Sequence, residues 1–341
     1  MIEFERLRCL RTDHTGSECD ACIEACATDA FVLKGKRLNF HADRCTTCGG
    51  CVGGCPTEAI AIDGFDENHF TLLFGQKSTL SCRENTPCLA VFGAEHLVVM
   101  ALKSEGEIRC DLAHCQGCVS DPKGHLHQHI TDRITQANTL LQSLGLSASL
   151  VASNEKPASD RRNFFGKLLS HATRAAVRPE HKPQAVSNHA TPTPKRRILL
   201  ANALEAFIAD QGAVQSPLFA HISIDPDRCT GCQECVRFCP TKALSITGEQ
   251  AHLAIEPLSC IGCMLCDLVC KDQAILPLQK SSLAQWMQPR TLVAFEWKSC
   301  QQCGAIFAAK ADQPHCRPCS DFIADGFGDM FAQEFTRTPK V

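Results

Sequence analysis

The sequence predicts an α+β chain assembled from several small modules instead of one large core, and three observations predict it. Cysteine supplies 25 of the 341 residues, gathered in tight groups. One grouping occurs twice, and each time short alternating strands flank it. Between the two copies lies a stretch where strand-like and helix-like periodicities take turns. A chain of this length has room for about two to four small domains. The boundaries suggested by composition and pattern are residues 1–69, 70–152, 153–197, 198–280 and 281–341.

Composition narrows the chemistry next. The N-terminus, MIEFERLRCLRTDHTG, has no apolar core of the kind a secretory signal needs, and no apolar run is long enough to cross a membrane. A reducing cytoplasm is therefore the expected compartment, and there clustered cysteines read as metal sites instead of disulfides. The net charge of −3 gives no argument for a nucleic-acid partner. Tyrosine is absent altogether.

The most regular cysteines run from Cys229 to Cys270. CTGCQECVRFCP and CIGCMLCDLVCK both have the spacing C-x2-C-x2-C-x3-C, and Pro240 follows Cys239. Such a run binds cubane iron–sulfur clusters, whose four thiolates stand at the corners of a tetrahedron. Three close cysteines on one loop cover a single side, so the fourth must come from elsewhere. Gly231 and Gly262 fall inside the loops, where backbone has to pass close to sulfide and turn its N–H groups toward sulfur. This stretch resembles a two-cluster bacterial ferredoxin module. The resemblance implies crossed ligation, with Cys229, Cys232 and Cys235 completed by Cys270, and Cys260, Cys263 and Cys266 completed by Cys239.

Residues 1–69 read as a second copy. Cys45, Cys48, Cys51 and Cys55, with Pro56, have the full spacing; Cys19, Cys22 and Cys26 match its last three positions. The pattern calls for another cysteine ahead of Cys19 and finds none nearer than Cys9, with nine residues between. The ferredoxin resemblance implies one cluster on Cys26, Cys45, Cys48 and Cys51, and another on Cys9, Cys19, Cys22 and Cys55. An inserted loop carrying His14 returns Cys9 at little entropic cost; a three-iron cluster or an exchangeable ligand are the alternatives. The flanking strands repeat as well: RLNFHAD and AIAID around the first copy, ISIDPD and ALSIT around the second.

Residues 70–152 differ. TLLFGQKSTLSC reads as a strand ending at Cys82, with Cys88 after it; AEHLVVMALKSEG reads as a helix closed by Gly106. EIRCDL is strand-like through Cys110, and Cys115 and Cys118 follow. ITDRITQANTLLQSLG spaces Ile130, Ile134, Ala137, Leu141 and Leu144 as one helical face, and SASLVAS is a further strand. The result is a small α/β unit with cysteines at strand ends, where open sheets place ligands. In Cys82, Cys88, Cys110, Cys115 and the order of elements it is similar to the iron–sulfur delta subunit of methyl-viologen-reducing hydrogenase. That likeness implies one more cluster, of the [2Fe–2S] or [4Fe–4S] type; unligated cysteines are the alternative. His125, His127 and His129 have strand spacing, yet helix follows, and they are read as solvated and not as ligands.

Residues 153–197 turn to Pro, His, Ala and basic side chains, with ten Lys or Arg against three acids from 155 to 197. This predicts a linker. Within it, DRRNFFGKLLSHATRAAV suits a basic amphipathic helix, leaving open packing on its own domain, docking to an acidic partner, or peripheral membrane contact. In the last segment Cys300, Cys303, Cys316 and Cys319 form two C-x2-C pairs twelve residues apart, and Gly304 suits a knuckle turn. The pairs resemble a zinc ribbon, implying a structural Zn closed by four thiolates; iron in the same cage is the competing reading.

The complete expectation is thus an α+β chain of two ferredoxin-like dicluster modules flanking a small α/β domain, with a C-terminal zinc ribbon. Eight cysteines in each module, five in the middle and four at the end account for all 25 and spare none as a catalytic thiol. No dinucleotide turn, phosphate loop or hydrolytic triad is present. The pattern predicts no enzyme but a cytoplasmic polyferredoxin: four [4Fe–4S] clusters and one-electron chemistry, serving a larger oxidoreductase such as a formate dehydrogenase or hydrogenase, the partner resting on analogy. The alternative is an accessory, maturation or redox-sensing protein docked on a metalloenzyme.

Overall fold

The computed structural model describes residues 1–13, 16–75, 77–104, 106–155, 193–247, 251–310 and 312–324. These fall into two compact units, Met1–Val214 and Gln215–Val341.

Both units contain the same strand plan. In the first, β1 (Ile2–Phe4) pairs antiparallel with β4 (Ile60–Ile62), while β2 (Phe31–Lys34) and β3 (Arg37–Phe40) form a hairpin between the two cysteine loops. In the second unit, β8 (Gln215–Ile224) pairs with β11 (Ile275–Ser282), and β9 (Leu244–Thr247) pairs with β10 (His252–Ile255). The outer pairing ties the strand before the first loop to the strand after the last, as in Ile2↔Ile62 and Ile224↔Ile275. Each module is thereby closed on itself, and its cysteine loops are pinned at both ends. Short alternating strands suffice because each has only one face to bury: Ile60 and Ile62 in one module, Leu253 and Ile255 in the other.

The α/β stretch adopts the expected alternation. β5 (Thr79–Leu80), β6 (Glu107–Asp111) and β7 (Ser149–Ser153) form a parallel sheet in that order, connected by the helices Ala94–Ser104 and His125–Ser143. Leu80, Ile108 and Leu150 are buried between the sheet and these helices. The predicted first strand is shorter than its sequence suggested, because residues Glu67–Leu73 are helical. Asp66 caps that helix by accepting from the His69 N–H at 2.9 Å, and Phe70 stacks on Phe92 at 5.4 Å. A cap and an aromatic anchor outweigh the strand propensity of TLLF. The three histidines lie on the helix His125–Ser143, whose first N–H groups are taken up by the Asp121 carboxylate. His129 turns its ring toward the Glu24 carbonyl at 3.3 Å.

The predicted linker is a correction. Its start and end both belong to the first unit: Arg109 donates to the Glu155 carbonyl at 3.0 Å, and residues Lys195–Leu204 form a helix packed on Ala94–Ser104. The Glu58 carboxylate accepts from the N–H groups of Lys195 and Arg196 at 2.8 and 2.9 Å and so closes the helix start from a distant loop. Residues 195–197 are therefore part of the first unit, and the chain passes to the second unit after Val214. The proposed basic helix at 160–177 lies outside the described residues.

The second unit ends in a hairpin, β13 (Glu296–Ser299) paired with β14 (Ile306–Ala309), and the helix Arg317–Ala324. A further strand, β12 (Arg290–Ala294), extends the β9–β10 hairpin. Most of the acidic tail lies outside the described residues.

Candidate metal centres

The cysteine loops owe their shape to left-handed backbone. Two residues after the first cysteine, Thr47, Gly231 and Gly262 have φ of 55°, 70° and 68°. Four residues after it, Gly49, Gln233 and Met264 have φ of 77°, 66° and 55°. Two left-handed residues so placed curl the loop around a centre and turn successive N–H groups inward, a concavity suited to negative charge. Gly231 has a second reason to be glycine, since a Cβ there would stand 2.6 Å from the Ala308 carbonyl oxygen.

The cysteine that closes each run has its own device, which the spacing did not reveal. Three residues beyond Cys26, Cys55, Cys239 and Cys270, the backbone is again left-handed, at Asp29, Glu58, Lys242 and Gln273. That turn aims the next N–H back at sulfur: Ala30 donates to Cys26 Sγ, Ala59 to Cys55 Sγ and Ala274 to Cys270 Sγ, each at 3.2 Å. Thr57 adds a hydroxyl 3.5 Å from Cys55 Sγ. The signal was readable as a fourfold C-x-[TD]-x-A after each run: CATDA, CPTEA, CPTKA and CKDQA.

The fold brings the predicted cysteines together in fours. Cys9, Cys19, Cys22 and Cys55 line one pocket of about 340 Å³, Cys229, Cys232, Cys235 and Cys270 one of about 390 Å³, and Cys239, Cys260, Cys263 and Cys266 one of about 350 Å³. The short helix Leu10–Asp13 takes up part of the extra loop, and Arg11 Nε donates to the Cys19 carbonyl at 2.8 Å, returning Cys9 to the group. Cys26, Cys45, Cys48 and Cys51 form the fourth set: burial raises the Cys51 thiol, and the thiolates of Cys48, Cys22, Cys26 and Cys45 raise it further. The same two causes push Cys235 up to about 12 and Cys263 up to about 11. Four half-buried thiols that resist ionisation near one another are stabilised when a cation replaces their protons.

Residues 17–59 and 221–271 match family models described as 4Fe–4S dicluster domains. Both stretches are iron–sulfur modules. The first match begins after Cys9, in keeping with the irregular spacing there, and the second encloses all eight cysteines of its run. No curated protein matches the chain.

The five middle cysteines divide. Cys82 follows the end of β5, Cys115 and Cys118 follow β6, and Cys88 precedes the turn Leu89–Val91, which packs on the helix Gly50–Gly54. Cys110, expected to join them, is a correction. It lies within β6, fully buried beside Ile108 and paired with Leu80 of β5, and burial alone pushes its thiol up to about 12. A strand alternates its side chains, so a residue on the core face cannot turn to the loops at the sheet's end.

The Cys300, Cys303, Cys316 and Cys319 side chains bring their ligand atoms within 4.8 Å of one another, and these residues can hold a metal ion. Cys303 Sγ and Cys316 Sγ are 3.7 Å apart, close to the edge of about 3.8 Å that follows from Zn–S bonds of about 2.3 Å in a tetrahedron. Burial raises the Cys300 thiol, but the N–H groups of Cys316, Cys303 and Gln302 outweigh it and bring the thiol down to about 6. The Cys316 N–H reaches Cys300 Sγ at 3.3 Å.

One residue near the clusters had no sequence signal. Arg196 is buried and donates to the Gly53 carbonyl at 3.2 Å and the Cys55 carbonyl at 2.7 Å, and its Nε is 3.7 Å from Glu95 Oε1. It holds the helix Gly50–Gly54 against the rest of the unit. In sequence it was one of several basic residues in a stretch read as linker.

Proposed function

We propose that the chain is a polyferredoxin: it holds four [4Fe–4S] clusters on the sixteen thiolates of its two dicluster modules and passes single electrons between them and a larger oxidoreductase. The observation that carries this reading is the assembly of cysteines in crossed fours, Cys55 with the Cys9 set, Cys26 with the Cys45 set, Cys270 with the Cys229 set and Cys239 with the Cys260 set. When bound, a cubane supplies one-electron redox chemistry. The residues around it set its potential through the N–H···S bonds from Ala30, Ala59 and Ala274 and through burial. The thiols at Cys300–Cys319 would hold Zn as a structural knot. Arg317 joins this end of the chain to the Cys229 loop, pairing with Asp272 and donating to Thr230 Oγ1 at 3.0 Å.

Among the described residues no helix is long and apolar enough to cross a membrane. A formate dehydrogenase or hydrogenase is the class of partner proposed, because a chain of one-electron centres needs a catalytic subunit at one end. The test is anaerobic purification with iron, sulfide and EPR analysis. About sixteen irons with equal sulfide in cubanes are expected; a folded preparation that carries zinc alone would overturn the reading. Clusters that no reductase or oxidoreductase can reduce at useful rates would instead favour the accessory or sensing role.

A further inference from the structure

The two cysteine loops of the second module carry matched glycines under different covers. Gly262, in the Cys260 loop, lies under the side chain of Leu278 on β11, whose nearest carbon would stand 3.1 Å from a Cβ at that position. Gly231, in the Cys229 loop, lies under the Phe295 ring and the backbone of β14, where the Ala308 carbonyl oxygen would stand 2.6 Å from such a Cβ. Further contacts run from the same end of the chain to the Cys229–Cys270 set. Lys310 Nζ donates to the Asp227 carbonyl at 3.0 Å, two residues before Cys229. Arg317 donates to Thr230 Oγ1 at 3.0 Å, one residue after Cys229, and pairs with Asp272, two residues after Cys270. Thr230 Oγ1 also donates to Asp272 Oδ2 at 2.7 Å, so one guanidinium spans the residues flanking the first and last ligands of the set.

This cover has almost no core of its own. Among the described residues from 296 to 324 the buried apolar side chains are Cys300, Ala308, Ala309 and Cys316, and the helix Arg317–Ala324 buries none. Ala308 packs into the core of the module beside Phe295, while Trp297 and Ile306 of the same hairpin stand 41% and 68% exposed. A two-stranded hairpin is marginal by itself, and a unit too small for a core needs a staple. The Cys300 cage is placed to be that staple. Cys300 and Cys303 sit in the turn between β13 and β14, Cys316 precedes the last helix and Cys319 lies within it, and the four ligand atoms lie within 4.8 Å of one another. An ion held by four thiolates supplies folding free energy to the segments it joins. Phe295 is anchored separately, its N–H donating to the Ala251 carbonyl at 2.9 Å, so the dependence on the cage begins after it.

We propose that β13, β14 and the helix Arg317–Ala324 form a cap over the Cys229–Cys270 cluster site, that the cap folds only with a metal ion in the Cys300 cage, and that losing the ion opens this one site of the second module to solvent and oxidants. Arg317 is the positioning residue that joins cage to site. The Cys239–Cys260 site stays closed without the cap, because its loop is covered by Leu278 of β11, a strand held by β8. The metal site thereby governs the lifetime of a neighbouring cluster to which it contributes no ligand. This inference rests on the reading of the two modules as cluster-bearing.

The experiment uses the full-length chain purified anaerobically, with zinc, iron and sulfide counted for the wild type, for the paired variant Cys303→Ser with Cys319→Ser, and for Arg317→Gln. Each is exposed to air for a series of times and alkylated, and mass spectrometry reads which cysteines have become free. In the paired variant, Cys229, Cys232, Cys235 and Cys270 should become free about tenfold faster than in the wild type, a change that losing one charged tie suffices to produce. Cys239, Cys260, Cys263 and Cys266 should keep the wild-type rate. Arg317→Gln should keep its zinc and free the same four cysteines faster, by a smaller factor. Equal acceleration of all eight cysteines, or of none, would overturn the cap, and so would a wild type that carries its clusters with an empty cage. A wild type far below the sulfide of four cubanes, about sixteen, would instead sink the reading of the modules. Should the paired variant not fold, Arg317→Gln decides: an unchanged rate at Cys229–Cys270 with zinc retained overturns the proposal.

Discussion

The two dicluster modules share cysteine spacing, strand pairing and left-handed turns, yet they are supported in different ways. The module of the first unit is backed by buried charge: Arg196 reaches the carbonyls of Gly53 and Cys55, Glu95 pairs with it, and Arg133 donates to the carbonyls of Ala90 and Phe92 at 2.6 and 3.0 Å. The second module is backed by the β13–β14 hairpin, with the Ala308 carbonyl close against Gly231, and by the half-exposed Arg317–Asp272 pair. What repeats is the part that shapes the cluster pocket. What differs is the scaffold behind it, and the two scaffolds should fail under different challenges.

Arg196→Met should give the largest effect. It leaves Glu95 buried without its partner and two carbonyls without donors, a loss of about 3–5 kcal/mol. Adding Glu95→Gln should recover part of it. Both tryptophans, Trp286 and Trp297, belong to the second unit. Unfolding followed by far-UV circular dichroism should therefore shift, while the tryptophan transition should not. An equal shift in both would show that the scaffolds are not separate.

Gly231→Ala is the matching challenge to the second unit. The left-handed backbone costs an L-residue about 1–2 kcal/mol, and the Cβ meets a carbonyl oxygen at 2.6 Å, so a total near 3 kcal/mol is expected. The tryptophan transition should move, and sulfide from the Cys229 site should fall.

A pH series sharpens the contrast. Burial pushes the Glu67 carboxyl up to about 7 from its usual 4.5. Between those values the folded chain binds the extra proton, so stability of the first unit should fall as pH rises through this window, by about 2–3 kcal/mol. Glu67→Gln should flatten that slope in denaturant titrations at pH 5 and 7.5. A slope unchanged by the substitution would assign it to another group.

The smallest effect is expected at Thr47, the counterpart of Gly231 in the first module. Thr47 holds a φ of 55° that glycine adopts freely. Thr47→Gly should raise the denaturation midpoint slightly, by less than about 1 kcal/mol, because relief of strain is offset by the greater freedom of the unfolded chain. A clear loss would mean that the threonine side chain is itself needed in the loop.

The sequence made the module plan legible because cluster ligation leaves so few solutions: fifteen of sixteen cysteines at fixed spacings, Gly231 and Gly262 at loop crests, and alternating strands on either side. At Cys9, nine residues stand where the pattern has two, and Cys9 nevertheless lines one pocket with Cys19, Cys22 and Cys55. The failures were of another kind. Cys110 and Cys118 both lie close to Cys115 in one dimension, and only the strand in three dimensions places one in the core and leaves the other on the loop. Residues 71–73 read as the start of a strand, but the Asp66 cap and the Phe70–Phe92 contact draw them into the end of a helix. Arg196 lay in a basic stretch whose composition hid its burial, because Glu95, which pairs with its guanidinium, and Glu58, which accepts from its backbone N–H, are far away in sequence.

That remoteness has a consequence for synthesis. The loop bearing Cys55 is complete early, but the guanidinium that seats its carbonyl arrives 141 residues later. A nascent chain emerges N-terminus first, so the first unit cannot reach its final packing until the helix ending at Leu204 has left the ribosome. Until then the Gly53 and Cys55 carbonyls lack that guanidinium as a donor.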